Sequence, residues 1–186
     1  MIALIFDTNC FKILSLFAVF PEPGFRRNEI KEKTKLNNVP LDKALTKLLA
    51  SHVLSVENNV YGLELENKYT KRAVKLALRQ YRALNELPFD LYLLLIDLAE
   101  GFSSIKSLEL YLSDDPSKSS YQKSSIEITI ISPKEIDKKS ISKIIKKMTT
   151  KYRKQVEVHD FITASFYKNP DDPKIKDLID NSIKLI

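Results

Sequence analysis

Between Pro40 and Leu63 the sequence changes its hydrophobic period from that of a helix to that of strands, and this passage narrows the fold more than any other. Leu41, Ala44, Leu45 and Leu48 stand at i, i+3, i+4 and i+7, which places them on one side of a helix spanning Pro40 to Ser51. Pro40 suits the first position of such a helix, where its missing N–H costs nothing. Val53 to Val56 and Val60 to Leu63 then form two short strands around Asn58-Asn59, residues that tolerate the positive φ of a tight hairpin. Upstream, Thr8 is placed to cap a helix through Cys10, Ile13, Leu14, Phe17 and Ala18, and the Pro21-Glu22-Pro23-Gly24 break ends it. A second helix is expected over Phe25 to Leu36, closed by a tight turn at Lys35-Leu36-Asn37. The order is helix, helix, turn, helix, hairpin.

The rest of the 186 residues leaves room for a second small domain. The formal net charge of +6 permits binding to nucleic acid or another acidic surface without requiring it. A lone cysteine, Cys10, excludes an internal disulfide and a cysteine-based metal site, and its apolar surroundings suggest simple burial. Met1 to Phe6 carries neither a basic lead nor a cleavage-like site, so no signal peptide is expected. The longest apolar run, Leu91 to Ile96, is too short to cross a bilayer. A cytoplasmic protein is expected. Three glycines among many lysines and isoleucines fit a thermophile's composition.

Asn67 to Glu86 reads as one helix, with no glycine or proline. Lys68, Arg72, Lys75, Arg79 and Arg82 recur at spacings of four and three, which aligns them on one face, with Lys71 beside them. Such a row suits either a phosphate backbone or a solvated face. The apolar positions on its other sides would pack on a core or a second copy of the chain. Pro88 opens a further helix, FDLYLLLIDLAEGF, apolar nearly all round and therefore buried, with Gly101 as its end.

Beyond it, Ile105 to Leu112 and Ile126 to Ile131 read as strands separated by the polar stretch Ser113 to Ser125. A lysine-rich amphipathic helix follows from Lys134 to about Arg153, then a strand over Val156 to Ile162 and a helix over Pro173 to Ile183. The overall class is α+β. Around the lysine-rich helix nine Lys/Arg face two Asp/Glu, which again suits a nucleic-acid surface or a solvated face.

The N-terminal order resembles the winged helix-turn-helix family. Asn28-Glu29-Ile30 through Thr34-Lys35-Leu36 matches its second helix and turn, and Leu48 to Leu54 matches the passage from recognition helix to wing. The resemblance implies duplex DNA as partner, with the helix 40–51 in the major groove and Asn38, Asp42, Lys43, Thr46 and Lys47 facing bases and phosphates. Arg26 and Arg27 would reach backbone phosphates, Asn58 and Asn59 would form the wing tip, and Lys68, Arg72 and Lys75 would extend the contact. A homodimer would present two recognition helices to a two-fold related site. Lys35 and His52 depart from the family, which usually has glycine there. Winged helices also serve as protein-binding modules. Residues 1–65 hold eight Lys/Arg against seven Asp/Glu, a balance that keeps an adaptor reading open.

The C-terminal order resembles the minimal nucleotidyltransferase domain of the polymerase-β type, which archaeal regulators join to a winged helix. The family's Gly-Ser pair is replaced by Leu112-Ser113-Asp114-Asp115, and its paired aspartates by Ser125-Ile126-Glu127. Glu157 offers one further acid. These substitutions imply a catalytically inactive domain for a ligand or protein partner, with no cofactor and no metal. A magnesium-dependent transferase using Glu127, Glu157 and Asp114 is the enzymatic alternative. The expected divisions are residues 1–65, a linking or dimerising helical segment at 66–103, and 104–186.

Overall fold

The computed structural model describes residues 7–20, 22–84, 87–105, 108–112, 125–132, 137–162, 173, 176, 180 and 182–185. Among these are six bounded helices and two small sheets, a mixed α+β arrangement. The chain divides into two compact units between Leu93 and Leu94.

The first unit is built on α1 (Thr8–Val19), in which Cys10, Phe11, Lys12, Ile13, Leu14, Ser15, Leu16 and Phe17 are all buried. A helix hidden on every side belongs at the centre of a core. Asp7, rather than Thr8, is its N-cap: the carboxylate accepts from the Asn9 N–H at 2.9 Å, and Thr8 is the first helical residue. Around α1 pack α2 (Arg27–Thr34), α3 (Asn38–Ala50) and α4 (Lys68–Ala83). Packing of α4 on α1 places it within this unit, and the division falls further on, inside the 66–103 segment expected to link domains. Burial pushes the Cys10 thiol up to about 11, so it stays protonated and behaves as a small apolar group.

A short strand, β1 (Phe25–Arg26), stands where the second helix was expected to begin. It pairs antiparallel with β3 (Val60–Leu63), which also pairs with β2 (Leu54–Glu57), giving the order β1-β3-β2. The composition of Phe25-Arg26-Arg27-Asn28 concealed the strand, because two residues cannot display a period. Its signature is Gly24: a Cβ there would lie 2.5 Å from Val60 Cγ1 and 2.6 Å from the Tyr61 carbonyl oxygen. Only glycine lets the chain come this close to β3.

The start of α3 also lies earlier than expected. Asn37 is its N-cap and Pro40 its third residue, still within the first turn where no backbone N–H is required. Leu41, Ala44, Leu45 and Leu48 are buried as a single stripe.

The last helix of the first unit, α5 (Phe89–Ser103), continues into the second, and Leu91 through Ala99 are buried without interruption. Within the first unit Tyr92 meets Tyr81 edge to face at 5.1 Å and its hydroxyl lies 3.3 Å from that of Ser15. Gly101 does not end α5, which runs to Ser103; a Cβ at Gly101 would stand 3.0 Å from Ile144 Cγ2. The glycine marks a close helix crossing rather than a stop.

In the second unit the sheet order is β6-β5-β4-β7, with β4 at Glu109–Leu112, β5 at Ser125–Ser132, β6 at Gln155–Ile162 and β7 at Ile183–Lys184. Strands β5 and β6 are parallel and joined through α6 (Lys138–Tyr152); the other pairings are antiparallel. Leu110, Leu112, Ile126, Ile128, Ile130 and Val156 form the buried face. Ile105 closes the turn after α5 instead of opening β4, since its N–H donates to the Phe102 carbonyl. Residues 173, 176 and 180 are helical, as expected for the final segment, but Ile183 lies in β7. Residues 113–124, with Asp114 and Asp115, lie outside the described set. No helix among the described residues is long and apolar enough to cross a membrane.

Candidate nucleic-acid interface

Burying one stripe of α3 leaves a second stripe in solvent. Asn38, Asp42, Lys43, Thr46 and Lys47 are exposed on it, together with Val39, which is 65% exposed. At about 100° per residue Val39 and Thr46 fall on nearly one line, with Lys43 and Asp42 to either side. Val39 therefore sits at the middle of the outward face. Val39 is not among the outward residues that the helical spacing singled out. The signal was its position two residues before Leu41, away from the 41–44–45–48 stripe.

Two of the cations on this face are already held by acids. The Arg27 guanidinium forms a two-pronged pair with Asp42, Nε to Oδ1 at 2.7 Å and an Nη to Oδ2 at 2.9 Å, and lies 3.5 Å from Asn38 Oδ1. The hydrogen bond from Arg27 holds the Asp42 carboxyl below its usual range, and the same bond raises Arg27. Both groups are solvent-facing, so the pair contributes little to stability. It does fix where the guanidinium points. Lys47 donates to Asp7 Oδ2 at 2.7 Å, which ties the α1 cap to α3, lowers Asp7 and raises Lys47. Arg26 and Lys43 have no ion pair among the described residues.

Turns at either end of α3 depend on residues that accept left-handed backbone. Lys35, between α2 and α3, has φ 55°, and His52, just after α3, has φ 50°. Both non-glycine residues adopt the conformation glycine would take with less strain. His52 is fixed from behind: its carbonyl accepts from Asn67 Nδ2 at 2.9 Å and from the Thr70 hydroxyl at 3.3 Å. The hairpin β2–β3 turns at Asn58 (φ 50°) and Asn59 (φ 62°), both exposed, and a two-residue turn of this kind needs positive φ at both positions.

Lys68, Arg72 and Lys75 are exposed on α4, as are Lys71, Arg79 and Arg82. The structure thus gathers Arg27, Asn38 and Asp42 into one cluster, aligns Val39, Lys43 and Thr46 beside it, and puts the α4 cations on a separate helix face.

In the second unit Glu127 and Glu157 are register partners on the parallel strands β5 and β6, so both project from the same face of the sheet. His159 Nε2 lies 3.7 Å from Glu127 Oε2, and both side chains are about half exposed. Among the described residues no group of three or more potential ligands is arranged to hold a metal ion. No family model, no curated protein and no solved structure matches the chain.

Proposed function

We propose that α1–α4 and the β1-β3-β2 sheet are a winged helix that binds duplex DNA through α3, in a protein that regulates transcription. The observation that carries this reading is the outward face of α3, where polar and cationic side chains line a helix anchored by a fully buried stripe. The element order and the hairpin beside α3 support it. In a major groove, Lys43 suits the acceptors of guanine, Thr46 suits several base edges, and the Val39 methyls suit the thymine methyl. Arg26 and the backbone of the Asn58-Asn59 tip would meet phosphates. Two copies would read a two-fold related site.

The second unit is read as a nucleotidyltransferase-like domain without catalysis, serving a ligand or protein partner. Its support is negative in kind: Glu127 and Glu157 oppose one another across two strands, whereas alternate acids on one strand are what the metal pair of that family needs.

A second reading, a protein-binding adaptor, draws on the ion pairs that occupy Arg27 and Lys47 and on the exposed methyls of Val39. The two separate in fluorescence anisotropy on mixed-sequence duplex DNA over a salt series. Lys43→Ala/Arg26→Ala is the informative variant, because Lys47→Ala would also remove the Asp7 pair. Binding that weakens steeply with salt, with a slope shallower by about 1 to 2 in the variant, is expected. Asp42→Asn should release Arg27 and tighten binding several-fold. Duplex binding absent at low salt, or unaltered in the variant, would hand the first unit to the adaptor reading.

A further inference from the structure

The cations of α4 are arranged in a way that a solvated surface does not call for. Lys68, Lys71, Arg72, Lys75 and Arg79 are all exposed, and at about 100° per residue they fall within an arc of about 100°. Directly opposite lie Thr70, Ala73 and Ala77, the buried stripe of α4. No aspartate or glutamate occurs anywhere from Lys68 to Ala83. Among the described residues, none of these five cations lies in ion-pair distance of a carboxylate; Lys68 rests over the Tyr69 ring at 5.2 Å. Arg82 continues the row and is engaged in a contact of its own.

Two costs follow. Like charges three and four residues apart repel along a helix, where a solvated face would interleave acids. Lys68 and Lys71 also sit in the first turn, against the positive end of the helix dipole, and that turn has no acid to offset them. A polyanion lying along the row removes both costs at once. From Lys68 to Arg79 the axis runs about 17 Å, and a duplex presents about one phosphate charge every 1.7 Å. The apolar side of α4 is already taken by α1, which leaves no face for insertion into a lipid surface. The row starts where the Asn67 side chain and Thr70 hold His52, the residue that ends the α3 turn.

We infer that the α4 row is a second, sequence-independent contact to the phosphate backbone of the same duplex that α3 reads. The inference rests on the winged-helix reading for the identity of the duplex, and it separates from that reading in the experiment. Full-length Arg72→Gln/Lys75→Gln/Arg79→Gln is compared with wild type and with Lys43→Ala/Arg26→Ala by anisotropy on a 30-base-pair mixed-sequence duplex across salt. Circular dichroism checks that each variant is folded. The α4 variant is expected to lose about 2 to 3 from the slope of log affinity against log salt, while keeping whatever preference the wild type shows between duplex sequences. A slope equal to wild type overturns the α4 contact and leaves α3 as the reader. Loss in the α4 variant with none in the α3 variant supports the α4 contact and overturns the reading of α3. A wild type that binds no duplex at low salt overturns both.

Discussion

Two helices of this chain, α4 and α6, carry six Lys/Arg each and no acid, yet the charge at their two ends is arranged differently. In α6 the acid is supplied from outside the helix. Asp137 caps its N-terminus, accepting from the backbone N–H groups of Lys139 and Ser140 and from the Ser140 hydroxyl. Near its C-terminus Lys151 donates to the buried Asp97 at 2.8 Å, and the Tyr152 hydroxyl donates to the same carboxylate at 2.5 Å. Negative charge at the start and a bound cation at the end both agree with the helix dipole. In α4 the cap is the neutral Asn67, the first turn is cationic, and the exposed row meets no carboxylate among the described residues through Arg79. Equal composition therefore says little about purpose. What separates the two helices is the acid at each end of α6; along the middle of both, the exposed cations meet no carboxylate among the described residues.

Removing the acid that binds Lys151 should cost the most stability. Asp97→Ala leaves the ammonium of Lys151 and the hydroxyl of Tyr152 without their shared acceptor in a largely buried setting. A cost of about 3 kcal/mol is expected, read from denaturant unfolding of the full chain. A loss under about 1 kcal/mol would mean that Lys151 is as solvent-compensated as the α4 cations, and the contrast would fail.

A smaller effect is expected at the other end of α6. Backbone and hydroxyl donors, that of Lys139 foremost, hold the Asp137 carboxyl below its usual range. A depressed folded-state pKa gives stability that is complete above the unfolded value, about 3.9, and is lost as pH falls through the folded one. Asp137→Ala should therefore lower the unfolding midpoint at pH 7, and the gap from wild type should narrow below about pH 4. A gap that stays constant down to pH 3 would show the cap acting by shape rather than by charge.

Much of this contrast could be read from the sequence. The 68–72–75–79–82 spacing placed the α4 row correctly, since a long helix without breakers displays its period openly. The α3 stripe was legible for the same reason, as was the Asn58-Asn59 turn. Hidden from the sequence were features set by distant partners. The β1 strand exists only because Gly24 lets Phe25 and Arg26 reach β3, and β7 exists only because it meets β4. Gly101 looked like a helix end because its neighbour, Ile144, lies far along the chain. At the candidate interface, the outward residues of α3 were foreseen, but the pairs Arg27–Asp42 and Lys47–Asp7 were not. Each joins different elements, and periodicity along one helix carries no record of them. Val39 was not singled out, and its 65% exposure shows that an apolar residue need not be buried.

One substitution in α4 should run against the usual direction of mutational change. Lys71→Glu puts an acid in the first turn of α4, where the dipole favours one, and removes a repulsion with Lys68 and with Lys75. It should raise the stability of the free protein by about 0.5 kcal/mol, where most surface changes do little and most others destabilise. The gain should shrink as salt is added, because exposed charges are screened. The same substitution should weaken duplex binding. A matching change made in α6, Lys139→Glu, should gain less, since Asp137 already supplies the negative charge at that end and would repel a second acid. If the two substitutions stabilise equally, the α4 row is no more strained than the α6 lysines. Its charge then has no energetic reason to be kept for a partner, whatever the binding measurements show.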